Sequence, residues 1–476
     1  MYRLLDKYKG LSEPVKASIW YMFANILNKG LALLATPIFT RILTEEEYGT
    51  YAVYQSWSSI LIIFTSLNIF LGGYQKGLIL YKTDKERFTS SQLGLTSVIT
   101  LIWFIIYLFN IEFWNTVFQL SPLLMLFMFI DLLILPGLDF WSARQRFEYK
   151  YKKYVCVSLL MSICSLAGGI IAVILIPQRV EGRIGADILV KIFIAGFLFI
   201  MILYKGKCIY NKEYWIYALK FNIPLIPHYL SNYVLNQSDR LMISKMIGNS
   251  EAAYYSVAYT ISTMMLIITS AINNSLTPYL YRKLEYKDCK TLKNVTRPIV
   301  LMVAVLSIVT IIFGPEIIYI FAGKNYSSAL YVIPPISCSV FFIFLYNLFS
   351  NIEYFYEKTG YIALATCLSA ILNILLNLVF IKKFGYYAAG YTTLVCYIVL
   401  AIIHYIFYLK ICEHNKLQVY DIKYIVSITI LMLILMIILT ITYKNRIIRY
   451  LLALVIIVIS FICRKKILSL FKELKK

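Results

Sequence analysis

Residues 41–54 read RILTEEEYGTYAVY, and residues 245–258 read KMIGNSEAAYYSVA. Each is a short polar corner set between long apolar runs. At an offset of 204, Arg41 falls on Lys245, Glu47 on Glu251, Tyr51 on Tyr255 and Val53 on Val257. A corner that returns so far along a chain marks an internal repeat. The runs between the two copies decide what kind of repeat it is.

The chain has 476 residues, of which 60% are hydrophobic and 15% charged, with a mean hydropathy of +0.74. Soluble domains are nearer 45–50% apolar and about 25% charged, so lipid must be the solvent for much of this surface. The net charge of +22 raises the question of nucleic acid. The basic residues are sorted by membrane side rather than gathered on one soluble domain, which excludes that partner. The 9 cysteines show no CxxC or Cys/His ligand spacing, which argues against disulfide or metal roles. The N-terminal MYRLLDKYKGLSEPVK lacks the apolar stretch and small-residue cleavage site of a secretory signal.

A membrane-spanning helix needs about 20 mainly apolar residues. Runs of that kind fall near 17–42, 50–71, 91–110, 117–139, 154–177, 184–203, 219–246, 254–276, 298–320, 329–351, 361–381, 386–409, 424–443 and 447–463. The expected fold is therefore an all-α polytopic membrane protein of about fourteen spans. With the N-terminus in the cytoplasm, 33 Lys and Arg fall on inner segments and 11 on outer corners, while Lys29 and Lys191 lie within helices. Such a bias follows the positive-inside rule, and an even helix count returns the C-terminus to the cytoplasm.

Six helices separate the two corners, so both halves enter the membrane with the same orientation. The expectation is two six-helix bundles, 1–205 and 206–410, related by a pseudo-twofold along the membrane normal. Helices 13 and 14 with a basic cytoplasmic tail, 411–476, are left over.

The corners resemble those of the polysaccharide flippases. Leu43-Thr44 followed by Glu46-Glu47-Tyr48-Gly49 and Tyr51 is similar to their first corner. Asp239-Arg240-Leu241-Met242-Ile243, then Gly248 and Tyr254-Tyr255-Ser256-Val257-Ala258, is similar to their seventh-helix signature. Glu45 stands where the family often has Pro, and Ala253 where it often has Gly. The family belongs to the multidrug/oligosaccharidyl-lipid/polysaccharide exporter superfamily, with the MATE exporters and lipid II flippases. The resemblance implies a flippase that carries an undecaprenyl-diphosphate-linked repeat unit to the outer leaflet by alternating access, for capsule or O-antigen. It implies no cofactor beyond coupling to a proton or sodium gradient. A polysaccharide polymerase and export machinery are the implied partners, beside membrane lipids and the lipid-linked oligosaccharide itself.

The residues add their own pattern. Helix 1 carries Asn25, Asn28, Lys29 and Thr36 on one stripe, and helix 7 carries His228, Asn232, Asn236 and Arg240 on another. The offset of 204 places Asn28 on Asn232 and Thr36 on Arg240. Polar stripes of this kind face a cavity, because lipid does not tolerate them. Pro37, Pro224 and Pro227 supply hinges.

Lys29 lies about 18 Å into its helix, near the midplane. It either meets an anionic headgroup or is neutralised by Asp131 or another internal pair. Lys191 follows Asp187 by four residues and has the same two readings, substrate contact or an i,i+4 pair. Arg240 can grip a phosphate bidentately or ease the burial of Asp239. Asn347, Asn351, Asn373 and Asn377 read either as polar helix packing or as hydrogen-bond partners for sugar hydroxyls, and His404 as an isolated packing residue.

A MATE-type exporter would carry open carboxylates for cations, whereas helix 1 offers Lys29. A lipid II flippase differs only in headgroup. A glycosyltransferase or polymerase would need a large outer loop and a nucleophile–base constellation, and neither is present.

Overall fold

The computed structural model describes residues 12–455. Helices fill it, and no strand occurs among the described residues. Eleven helices in this range are long and apolar enough to cross a membrane. Every expected span falls on a helix, although the fourteenth is helical over 446–455 and then leaves the described range.

The chain forms two compact units, Met1–Gln237 and Ser238–Lys476. The long helices of the first are α1 (Glu13–Ile42), α2 (Glu45–Ser66), α3 (Lys85–Phe109), α4 (Pro122–Phe147), α5 (Tyr151–Leu175) and α6 (Arg179–Gly206). Helix α7 (Ile226–Met246) carries the unit boundary within it. The second unit continues through α8 (Asn249–Glu285), α9 (Cys289–Ile312), α10 (Lys324–Phe355), α11 (Thr359–Phe384), α12 (Tyr387–His414) and α13 (Ile422–Ile441).

The repeated corners are now explained at their own level. Helix α1 ends at residue 42 and α7 at 246, while α2 starts at 45 and α8 at 249. Both pairs are 204 apart. In the first corner Thr44 and Glu47 form a capping box. The Thr44 hydroxyl accepts from the Glu47 amide at 3.2 Å, and the Glu47 carboxylate accepts from the Thr44 amide at 2.8 Å. Such a box satisfies two of the helix's orphan donors and stabilises its start by about 1 kcal/mol. In the second corner Gly248 takes the cap position and Glu251 packs against it. The shared Glu is therefore a helix-start residue in both copies.

Two expectations need refinement. The span read as 298–320 is broken at Phe313, where Gly314-Pro315 opens a separate short helix, Gly314–Ala322. The polar approach to α7 is a helix at Lys212–Asn222 followed by a 3₁₀ turn at Ile223–Leu225. Pro224 lies within that turn and Pro227 just after it, at the start of α7, and each removes a backbone donor.

The first unit packs around an aromatic cluster. The Tyr74 ring lies 5.9 Å from Phe88 and 5.0 Å from Phe140. In the second unit α10 is buried over most of its length, and its Phe341, Leu345 and Leu348 share one buried core with Val303 of α9 and Leu400 of α12. Lipid tails are as apolar as these side chains, so close packing and polar contacts hold each unit together internally.

Candidate functional site

The first unit holds a cavity of about 240 Å³ between α1, α2, α5 and α6. Asn28 and Thr36 of α1 line it, facing Ser162 and Ser165 of α5. The Ser162 hydroxyl donates to the Asn28 side-chain oxygen at 2.9 Å. Asn25 and Lys29, placed on the same stripe, lie exposed outside this cavity.

Next to the cavity sits an ion cluster. The Lys191 ammonium is 2.7 Å from Asp131 of α4 and 2.9 Å from Asp187 of its own helix. Asp187 also accepts from the Ser165 hydroxyl. Asp131 is buried. Of the two readings of Lys191, the structure displays the pair with Asp187 and adds Asp131. Asp131 is therefore engaged by Lys191 and not by Lys29, which has no ion-pair partner among the described residues. Directly after Lys191 the helix widens into a π segment, Ile192–Gly196. Such bulges occur often at functional sites.

The second unit buries a different polar knot. Asp239 accepts hydrogen bonds from Tyr255, from Thr393 at 2.7 Å and from the Asn377 amide at 2.6 Å. Asn377 also donates to Asn373 at 3.2 Å and accepts from Thr392, and Ser238 donates to Asn373 at 2.9 Å. One carboxylate, two amides and several hydroxyls make an oxygen-rich set, the donor type that hard cations take. No group of three or more His, Cys, Asp or Glu side chains suited to a metal occurs among the described residues. Arg240 turns its guanidinium over the Tyr259 ring at 4.4 Å. On α7, Asn232 is exposed, and Asn236 donates its amide to the Asn232 carbonyl at 2.7 Å.

The structure adds two residues, Arg183 and Glu353, and revises the reading of a third, His404. Arg183 falls one residue before the span expected from 184, yet it is buried and lines the first-unit cavity. Its spacing was the available signal, since residues 183, 187 and 191 recur every four positions on one helix face. His404 is not isolated. Its Nδ1 lies 2.7 Å from the Glu353 carboxylate, and Tyr346 stacks on the ring at 5.6 Å. Glu353 is fully buried too, and no sequence spacing links residues on two different helices.

Comparison with known proteins agrees with this architecture. The Polysaccharide biosynthesis protein family matches residues 15–284, and the MatE family matches 224–379. An uncharacterized membrane protein of Haemophilus influenzae is 24% identical over 380 residues, covering 75% of this chain and 88% of its own length. The protein named "Probable low-salt glycan biosynthesis flippase Agl15" of Haloferax volcanii is 21% identical, over 37% of this chain and 38% of its own. Among solved structures, the lipid II flippase MurJ in an inward closed conformation superposes with a TM-score of 0.66 at 17% identity, over 95% of this chain and all of that one. An inward-facing MATE multidrug transporter gives 0.65 at 13% identity, over 82% and 96%.

The fold is that of a membrane-embedded, MATE-like transporter. The chain belongs to the polysaccharide biosynthesis family, the flippase branch of this superfamily, as the two corners had indicated. Its relatives are transporters rather than enzymes.

Proposed function

We propose that this protein flips an undecaprenyl-diphosphate-linked oligosaccharide repeat unit from the cytoplasmic to the outer leaflet, by alternating access, for a capsule or O-antigen type polymer. Its place is the bacterial plasma membrane, with both termini in the cytoplasm. A polymerase and export machinery receive the product.

The carrying observation is the division of charge in the first unit. Lys191 pairs with both Asp131 and Asp187, so a cation of the protein's own already engages these carboxylates. Lys29 is exposed near the middle of α1 without an ion-pair partner among the described residues. An unpaired cation at that depth suits a diphosphate. This favours a lipid-linked anion over the MATE alternative. A lipid II flippase has the same chemistry and differs by headgroup. Coupling to a proton or sodium gradient falls to Asp239, whose partners named above are neutral donors.

Deletion of the gene tests the reading. Surface polysaccharide should disappear, lipid-linked repeat units should accumulate on the cytoplasmic side, and drug susceptibility should not change. Normal polysaccharide combined with drug sensitivity would establish the exporter instead.

A further inference from the structure

Glu353 of α10 and His404 of α12 form a buried titratable pair that stands apart from both sites described above. Their side chains are 0% and 1% exposed, and His404 Nδ1 lies 2.7 Å from Glu353 Oε1. The other carboxyl oxygen, Oε2, has no hydrogen-bond partner. Tyr346 stacks on the imidazole, and Tyr397 stacks on Tyr346 at 6.4 Å. The remaining titratable groups nearby are phenols too. Tyr354 adjoins Glu353, Tyr281 of α8 packs on Phe355, and Tyr408 and Tyr420 pack on Phe349. No side chain of α8, α9, α11 or α13 makes an ion pair or hydrogen bond with Glu353 or His404 among the described residues.

That setting fixes how many protons the pair holds. A net charge enclosed without a counter-ion is strongly disfavoured, so such groups neutralise. One titratable proton between carboxylate and imidazole brings the pair to zero charge. The bare Oε2 suits a neutral carboxyl better than an ionised one. In water, a glutamate and a histidine ordinarily titrate near about 4.3 and 6.5, so above about pH 7 they hold no such proton. The packed pair therefore takes up a proton that an opened pair sheds, and the two residues titrate as one unit.

The way out is short. Tyr354 is 47% exposed, and the amide of Lys358, in the exposed corner, donates to the Glu353 carbonyl at 2.8 Å. His404 also shares one face of α12 with Tyr397 and Thr393, at intervals of seven and four residues. Thr393 binds Asp239, so the pair lies about 16 Å along the helix from that knot.

We infer that Glu353 and His404 form a proton-binding site, filled while α10 and α12 are packed together here and emptied to the adjacent membrane face when they part. The site is separate from Asp239, and α12 connects the two. It goes beyond the flippase reading, on which only the assignment of that face to the cytoplasm rests.

Nitrogen NMR of the purified full chain in detergent, with labelled histidine, tests this. The chain has 3 histidines, and the His404 signal is the one absent from His404→Asn. In the wild type that signal should change between about pH 6 and 9, around the ordinary range of histidine. In Glu353→Gln it should stay that of a neutral ring throughout, because no carboxylate is left to balance a charge. Stability should follow with a definite sign. The proton stabilises the packed pair, so the wild type's advantage over Glu353→Gln is full below about pH 6.5 and shrinks as pH rises. The melting-temperature difference should shrink by about 3 °C per pH unit.

A His404 signal constant over this range, or a melting-temperature difference that does not change with pH, would make the contact a permanent lock and overturn the inference. The wild-type titration decides the matter even where Glu353→Gln does not fold. Neither readout needs flipping, so both stand apart from the gene-deletion result.

Discussion

The Lys191 ammonium lies 2.7 Å from the Asp131 carboxylate, joining α6 to α4 across sixty positions of sequence. Both side chains are shielded, at 16% and 4% exposure. In such a setting the pair is costly to break, because the survivor stays buried and charged. Lys191→Met should destabilise the protein by about 3–5 kcal/mol, seen as a lower melting temperature and reduced membrane abundance. The double variant Lys191→Met with Asp131→Asn should recover much of that loss. If Lys191→Met alone leaves stability intact while abolishing export, Lys191 acts on substrate instead.

The limits of legibility follow from the same cluster. Asp187 and Lys191 share a helix, so a four-residue interval revealed their pairing in the sequence. Asp131 could not be assigned, because its partner comes from packing between helices. The polar corners located helix ends well: the starts of α2 and α8 keep the repeat offset to the residue. Arg183 was lost for a related reason. A span drawn from 184 leaves it outside, but α6 begins at Arg179. An arginine near a helix end reads as interfacial whenever its neighbours' exposure is unknown. The Glu353–His404 contact has no local signature at all.

A second prediction concerns the Asp239 knot. If it is the coupling site, sodium should raise the melting temperature of the purified protein relative to equimolar potassium, because binding to the folded state alone stabilises it. Asp239→Asn should abolish that difference and stop export, while Thr393→Ala should weaken it. A wild type indifferent to sodium would pass the role to protons, and the export rate should then depend on external pH in the wild type only.

Topology is the third. Exposed positions at the two faces are now available in the turns around α5, α6, α9 and α10. In a cysteine-free background, single cysteines at Gln178 and Ser327 should react with an impermeant thiol reagent from outside. Cysteines at Lys152 and Lys287 should react only after the membrane is opened. All four residues are exposed, so silence cannot be blamed on burial. Reversed labelling would defeat the arrangement with a cytoplasmic N-terminus.

Lys29 provides the sharpest test of the substrate reading. Two roles were open to it, a headgroup contact or neutralisation of Asp131, and Asp131 is already held by Lys191. Removing Lys29 therefore leaves no described carboxylate stranded, and the fold should not suffer. What transport needs from it is positive charge in a region where water screens poorly, and charge pairs there are much stronger than in bulk water. Lys29→Arg should then keep substantial export of surface polysaccharide. Lys29→Ala and Lys29→Gln should lose most of it, at near-normal membrane abundance. A charge-assisted contact is typically worth about 1.5–3 kcal/mol, so the loss should reach roughly ten- to hundredfold in export rate. Abundance and export must be read together for each variant. Full export by Lys29→Ala would remove this residue from the pathway, and a collapse in abundance would reveal a structural role.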